Sequence, residues 1–109
     1  MIKKYNYKLE NNSNALIRLF NDELRFLEIP NGITSINSYV FRDKKSLVNV
    51  TIPVSVIEIK NYAFINCSNL DTLIYLGTIS QWESISKGED WKSSKKDISL
   101  QCTDGTIII

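Results

Sequence analysis

Histidine is absent, and its absence removes more chemistry than any other feature of this chain. No side chain is left with an unperturbed pKa near neutrality. The serine–histidine and cysteine–histidine pairs that activate nucleophiles cannot be assembled. Cysteine is scarce too. Only Cys67 and Cys102 occur, and two thiolates without imidazole partners do not make a zinc site. They read as buried free thiols rather than as a disulfide. An excess of either charge is also missing: thirteen Lys and Arg face twelve Asp and Glu, for a net charge of +1. That balance argues against nucleic acid, which demands a basic face. The densest basic run, WKSSKK at 91–96, reads as a solvated loop.

Long hydrophobic runs are absent as well. None approaches the roughly 18 residues of a membrane helix. The start, MIKKYNYKLE, has basic residues but no apolar stretch behind them, so it is not a signal peptide. Taken alone, the chain reads as cytoplasmic, with no membrane insertion. Its 109 residues, 43% apolar and 23% charged, suit one folded domain with a modest core.

Displacing the sequence by 23 residues brings its apolar positions into register. Leu24, Leu47 and Leu70 align, as do Leu27, Val50 and Leu73, and Ile29, Ile52 and Tyr75. Pro30 meets Pro53, Ile36 meets Ile59, Tyr39 meets Tyr62 and Phe41 meets Phe64. Within a unit, Leu47, Val50 and Ile52 mark a short strand with alternate side chains inward. Pro53 stops its ladder. Val56 and Ile59 return to the core from a second short extended segment, and Asn61–Phe64 turns an aromatic ring inward. No unit can bury its apolar side alone, so the units must stack as a solenoid. Strands are expected near 26–29, 49–52 and 72–75 in one parallel sheet.

These residues carry a family likeness. LEIPNGITSINSYVF and VTIPVSVIEIKNYAFINCSNL resemble the BspA-type leucine-rich repeat, approximately L-x-x-I-x-I-P-x-x-V-x-x-I-G-x-x-A-F-x-x-C-x-x-L. The second copy fits closely. The first has Val40 for the alanine and Lys44 for the cysteine, and Asn37 and Lys60 replace the glycine. The resemblance covers roughly residues 15–109 and implies an α/β-type repeat fold, a short leucine-rich-repeat solenoid with a parallel sheet.

The organisation expected is a single domain over 1–109, with an N-terminal hairpin cap (1–23), repeats (24–76) and a C-terminal helix-plus-hairpin cap (77–109). In the first cap, Tyr5, Tyr7 and Leu9 alternate before the turn NNSN, and Leu16 follows it. In the second, Thr78 and Gln81 form a capping box, and Ile79, Trp82 and Ile85 share a face of a short helix that Gly88 ends. Ile98, Leu100 and Cys102 then alternate inward, and Asp104–Gly105 supplies a tight turn. GTISQW…W…CTDG resembles the ending of BspA-type arrays. Trp82 and Trp91 read as capping core rather than as ligand-stacking residues.

Chemistry is hard to find. Asp22–Glu23 and Glu89–Asp90 are neighbours in loops, which does not aim two carboxylates at one site. There is no phosphate loop, dinucleotide fingerprint or calcium loop. No enzyme, cofactor or metal is expected. What remains is surface: Phe26, Asn49 and Thr72 in one outward row, Glu28, Thr51 and Ile74 in the next, with Leu76 extending the edge and Ile57 exposed on the neighbouring face. The expectation is a non-enzymatic, protein-binding module that meets another protein through Phe26, Glu28, Asn49, Thr51, Thr72, Ile74 and Leu76. With Met1 and a cap at each end, it reads as a complete product. The resemblance implies a bacterial or phage source, and one version is a phage-encoded inhibitor of a host protein. The alternatives are the terminal piece of a BspA-like cell-surface adhesin and a self-assembling homo-oligomer.

Overall fold

Each repeat contributes two strands, one to each of two sheets. The computed structural model describes residues 9–12, 14–19, 23–93 and 96–109. In chain order the elements are β1 (Leu9–Asn12), β2 (Ala15–Leu19), β3 (Phe26–Glu28), β4 (Ser35–Ile36), β5 (Asn49–Ile52) and β6 (Glu58–Ile59). They continue with β7 (Thr72–Tyr75), α1 (Ile79–Glu83), β8 (Ser86–Lys87), β9 (Ser99–Cys102) and β10 (Gly105–Ile108). The first sheet has the order β3-β5-β7-β9-β10, the second β1-β2-β4-β6-β8. Together they form a parallel β-solenoid of about three turns.

Register follows the repeat. Phe26 pairs with Asn49 and Asn49 with Thr72, so β3, β5 and β7 are aligned at the 23-residue offset. Thr72 then pairs with Ser99, and Glu58 with Ser86. The last coil is longer because α1 is inserted between the two sheets. The second sheet is more than the sequence pattern announced: the segments ending at Ile36 and Ile59 form a parallel ladder, Ser35↔Glu58 and Ile36↔Ile59. The N-terminal hairpin joins this sheet, with β1 antiparallel to β2 and β2 parallel to β4. Tyr5 and Tyr7 lie outside the described residues.

The third side of each coil is a run of turns. Its backbone rungs repeat: the Phe41 N–H donates to Ala63 O at 2.9 Å, and the Phe64 N–H to Trp91 O at 2.7 Å. Tyr39 and Tyr62 have φ of 65° and 62°, and Asp43 and Asn66 have 62° and 60°. The same left-handed kinks thus recur one coil apart. This geometry drives Phe41 and Phe64 inward, where they are 0% and 1% exposed. It leaves the tyrosines outside, stacked at 5.3 Å.

The core runs along the axis as rows of like residues: Leu27, Val50, Leu73 and Leu100, and Leu16, Ile36 and Ile59. Inward side chains on alternate positions meet from both sheets. Trp82 closes the last coil, edge to face with Tyr75 at 5.5 Å and with Trp91 at 5.8 Å. Trp91 is half-buried and also meets Phe64 at 6.2 Å.

Three expectations need correction. Gly88 does not end the helix; α1 stops at Glu83 with Ser84 as its C-cap, and β8 intervenes. Gly88 is required instead by a close approach, since a Cβ there would lie 2.5 Å from the Asn61 backbone nitrogen. Ile79 is only half-buried, so the helix buries Trp82 and leaves Ile85 to the following residues. Cys102 is half-buried as well, because its strand runs beyond the row capped by Leu100. The Thr78–Gln81 capping box is present.

Candidate binding face

The outward side chains of the first sheet stand in two straight rows. One runs Phe26, Asn49, Thr72, Ser99 and Ile108; the other runs Glu28, Thr51, Ile74, Gln101 and Thr106. Straightness comes from the parallel register, which places equivalent residues opposite one another about 4.8 Å apart. Four such steps separate Phe26 from Ile108, roughly 19 Å. Both ends are apolar and open, each 65% exposed. Leu76, one step beyond the second row, is 50% exposed.

The structure therefore brings all seven expected residues onto one surface. Ile74 is half-buried, so less of it meets solvent than the sequence implied, while Glu28, Asn49, Thr51 and Thr72 are half-buried neighbours in a closely packed ladder. Sequence reasoning missed Ser99, Gln101, Thr106 and Ile108. The 27-residue step into the last coil broke the register that located the others, and only the alternation of Ile98, Leu100 and Cys102 pointed to them. Across these eleven positions Glu28 is the only charged side chain. Depletion of charge is what the centre of a recognition surface shows. Ile57, 67% exposed, lies away from this surface beside β6.

Concave features lie elsewhere. A groove of about 670 Å³ follows the start of the first sheet's strands, between Arg25, Val48 and Asp71. A smaller one, about 260 Å³, borders Cys67, Asp43 and Lys96 on the third side. Neither collects a catalytic set. The Cys67 thiol donates to Phe41 O at 2.9 Å, and burial pushes its pKa up to about 11, far from a reactive thiolate. Burial also raises the Cys102 thiol. Glu89, beside the Tyr62 hydroxyl at 3.4 Å, raises that phenol. Among the described residues no three His, Cys, Asp or Glu side chains cluster to hold a metal ion. Asp22 lies outside the described residues, and Glu89 and Asp90 are both exposed. No helix among the described residues is long and apolar enough to cross a membrane.

Comparison with known proteins places this geometry. The crystal structure of a leucine rich cell surface protein from Faecalibacterium prausnitzii A2-165 is similar, with a TM-score of 0.56 and 41% sequence identity. The likeness covers 58% of this chain and 17% of that one, so the chain spans a small part of its neighbour's length. No curated protein matches. Residues 18–89 match the family model described as BspA type Leucine rich repeat region (6 copies), which takes in every coil that carries the 23-residue register, and the chain belongs to that family.

Proposed function

We propose that this chain is a non-catalytic protein-binding repeat module, with the outer face of the first sheet as its recognition surface. One observation carries the reading: two straight rows of short polar and β-branched side chains, bounded by Phe26 and Ile108, with Glu28 their single charge. A rigid sheet presents such rows with little side-chain ordering left to complete on binding. Short Thr, Asn and Ser side chains let a partner approach the backbone closely. The Thr and Ser hydroxyls of these rows have no histidine to activate them, because the chain contains none, which supports binding without catalysis.

The cell-surface description of the structural neighbour supports an adhesive setting, in which this chain acts as part of a larger array. A phage origin and an inhibitory role draw support from neither the family nor that neighbour. The test uses the full chain immobilised in three forms, wild type, Thr51→Arg and Ile57→Arg, exposed to intact cells and to cell lysate. Proteins retained by the wild type and by Ile57→Arg, but lost with Thr51→Arg, would support the assignment. Equal capture by all three, or none by any, would sink it.

A further inference from the structure

The corner between β3 and β4, where the chain passes from the first sheet to the second, contains Pro30-Asn31-Gly32-Ile33. It is a tight turn. The Ile33 N–H donates to Pro30 O at 3.4 Å, and Gly32 has φ 101°, the left-handed sense that the second central residue of a type II turn requires. Asn31 and Gly32 are both exposed, and the Asn31 side chain takes part in no hydrogen bond among the described residues. A Cβ at Gly32 would meet nothing within 4 Å, so the turn is open on that side. An asparagine amide carbon beside an unhindered glycine nitrogen is a reactive pair. A five-membered ring closes between them without the cost of bringing two molecules together.

One contact restrains that closure. The Gly32 N–H donates to Ser55 Oγ at 3.0 Å, and the Ser55 hydroxyl donates in turn to Ile33 O at 2.8 Å. Ser55 is half-buried and stands where Gly32 does one coil on, at the 23-residue offset. The nitrogen that must attack is therefore engaged as a donor, and the turn is pinned to the next coil at two points. Asp104–Gly105 is the other pair of this kind in the chain. There Asp104 Oδ1 accepts from the Ile79 N–H at 2.9 Å, and an ionised carboxylate resists attack by a nucleophile.

From this we infer that Asn31 is a modification site, at which the chain deamidates itself through Gly32, and that Ser55 of the next coil sets the rate. Hydroxide removes the Gly32 amide proton, and the nitrogen forms a bond to Asn31 Cγ. The Cγ–Nδ2 bond breaks, and Nδ2 leaves as ammonia with a proton from water. Water then opens the succinimide at either carbonyl. Opening at one gives aspartate; opening at the other gives isoaspartate, with the main chain rerouted through the side chain. One water is consumed, one ammonia is released and nothing is oxidised. Either product puts a carboxylate on the corner and takes the formal net charge from +1 to zero. Isoaspartate also inserts one more carbon into the backbone of the turn, which pulls Gly32 away from Ser55 and loosens the first coil against the second.

The test ages the full chain at mildly alkaline pH and follows the peptide containing Asn31 by mass spectrometry, with isoaspartate separated from aspartate by chromatography. Wild type is compared with Ser55→Ala and Ser46→Ala. Ser46 is the control because its hydroxyl also donates across coils, to Leu24 O at 2.9 Å, but away from this turn. The expected result is conversion at Asn31 in wild type, faster by about threefold to tenfold in Ser55→Ala, the factor that one net hydrogen bond supplies. Ser46→Ala should keep the wild-type rate, and amide exchange at Gly32 should quicken in Ser55→Ala alone. Folded and urea-unfolded wild type give the same comparison without a variant, and the unfolded chain should convert faster. No conversion at Asn31 in Ser55→Ala or in the unfolded chain overturns the site. Equal rates in wild type and Ser55→Ala, or an equal rise with Ser46→Ala, overturn control by Ser55. A folded chain that converts as fast as the unfolded one does so too.

Discussion

The rings of Phe41 and Phe64 stack with centroids 4.8 Å apart and planes inclined by 23°. They are one position of the repeat in consecutive coils, and that spacing is the rise of the solenoid. The stack is buried at both faces of Phe64, by Phe41 on one side and the edge of Trp91 on the other. Phe64→Ala would remove a ring that links three coils. The expected cost is about 3–5 kcal/mol, against a total of about 5–15 kcal/mol for an ordinary domain. Chemical denaturation should show the midpoint collapsing, and a variant melting within a few degrees of wild type would mean that Phe64 is not core.

Tyr62 sits two residues earlier and behaves differently. Its half-buried ring stacks on the exposed Tyr39, and its backbone is held at φ 62°. A left-handed conformation costs an L-residue with a Cβ about 1–2 kcal/mol, which glycine avoids. Tyr62→Gly and Tyr62→Ala both lose the stack, worth about 0.5–1.5 kcal/mol. Only the glycine variant relieves the backbone. The glycine variant should therefore be the more stable of the two by about 1 kcal/mol in urea denaturation, and the reverse order would show that the kink is not strained.

How much of this was legible beforehand follows from which interactions repeat. Rows such as Leu27, Val50 and Leu73 were readable because one strand register serves every coil, so a single offset exposes them all. That the Phe41 and Phe64 position turns inward was readable too, but that Tyr39 and Tyr62 stay outside was not, since they recur at the same offset and only the backbone kinks place them. The second sheet was half-legible: Ile36 and Ile59 marked its core side, but two-residue strands leave no alternation to detect. Ser99, Gln101, Thr106 and Ile108 escaped because α1 lengthens the coil before them, and periodicity says nothing once the period changes.

Cys67 offers a test through pH. Its thiol is 3% exposed, and burial raises its pKa from 9.0 to about 11. The folded state thus holds this proton more tightly than the unfolded chain does. The stabilisation is intact below pH 9 and is lost as pH rises from about 9 to about 11, for a loss on the order of 2–3 kcal/mol. Lys87, whose pKa burial lowers, acts in the opposite sense near its own titration, so the comparison must be between variants. Cys67→Ala should flatten the fall seen for wild type across that window. At pH 8 only about a thousandth of Cys67 is thiolate, so a thiol reagent should label Cys102 first and Cys67 only on unfolding. Equal labelling rates in the native protein would contradict the burial.

The end of the chain gives the last test. Ile98 and Leu100 are 2% and 0% exposed, and they lie over the row that ends in Leu70 and Leu73. Removing residues 98–109 would strip β9 and β10 and turn β7, a four-residue strand with Leu73 and Tyr75 on its inner side, into a bare edge. Each side chain of that size left uncovered forgoes roughly 1.5–3 kcal/mol. Several at once exceed what a small solenoid can spare. The open edge and the uncovered row would lie side by side, which is the combination that leads strands to pair between chains. The truncated chain should therefore collect in the insoluble fraction, or remain soluble only as large species by light scattering, while the full chain expressed in parallel stays soluble. Loss of α1 alone would not have this effect, because its one buried residue, Trp82, is backed by Tyr75 and Trp91. A soluble truncation that unfolds cooperatively would show that the first three coils hold themselves together, and that β9 and β10 add recognition surface rather than closure.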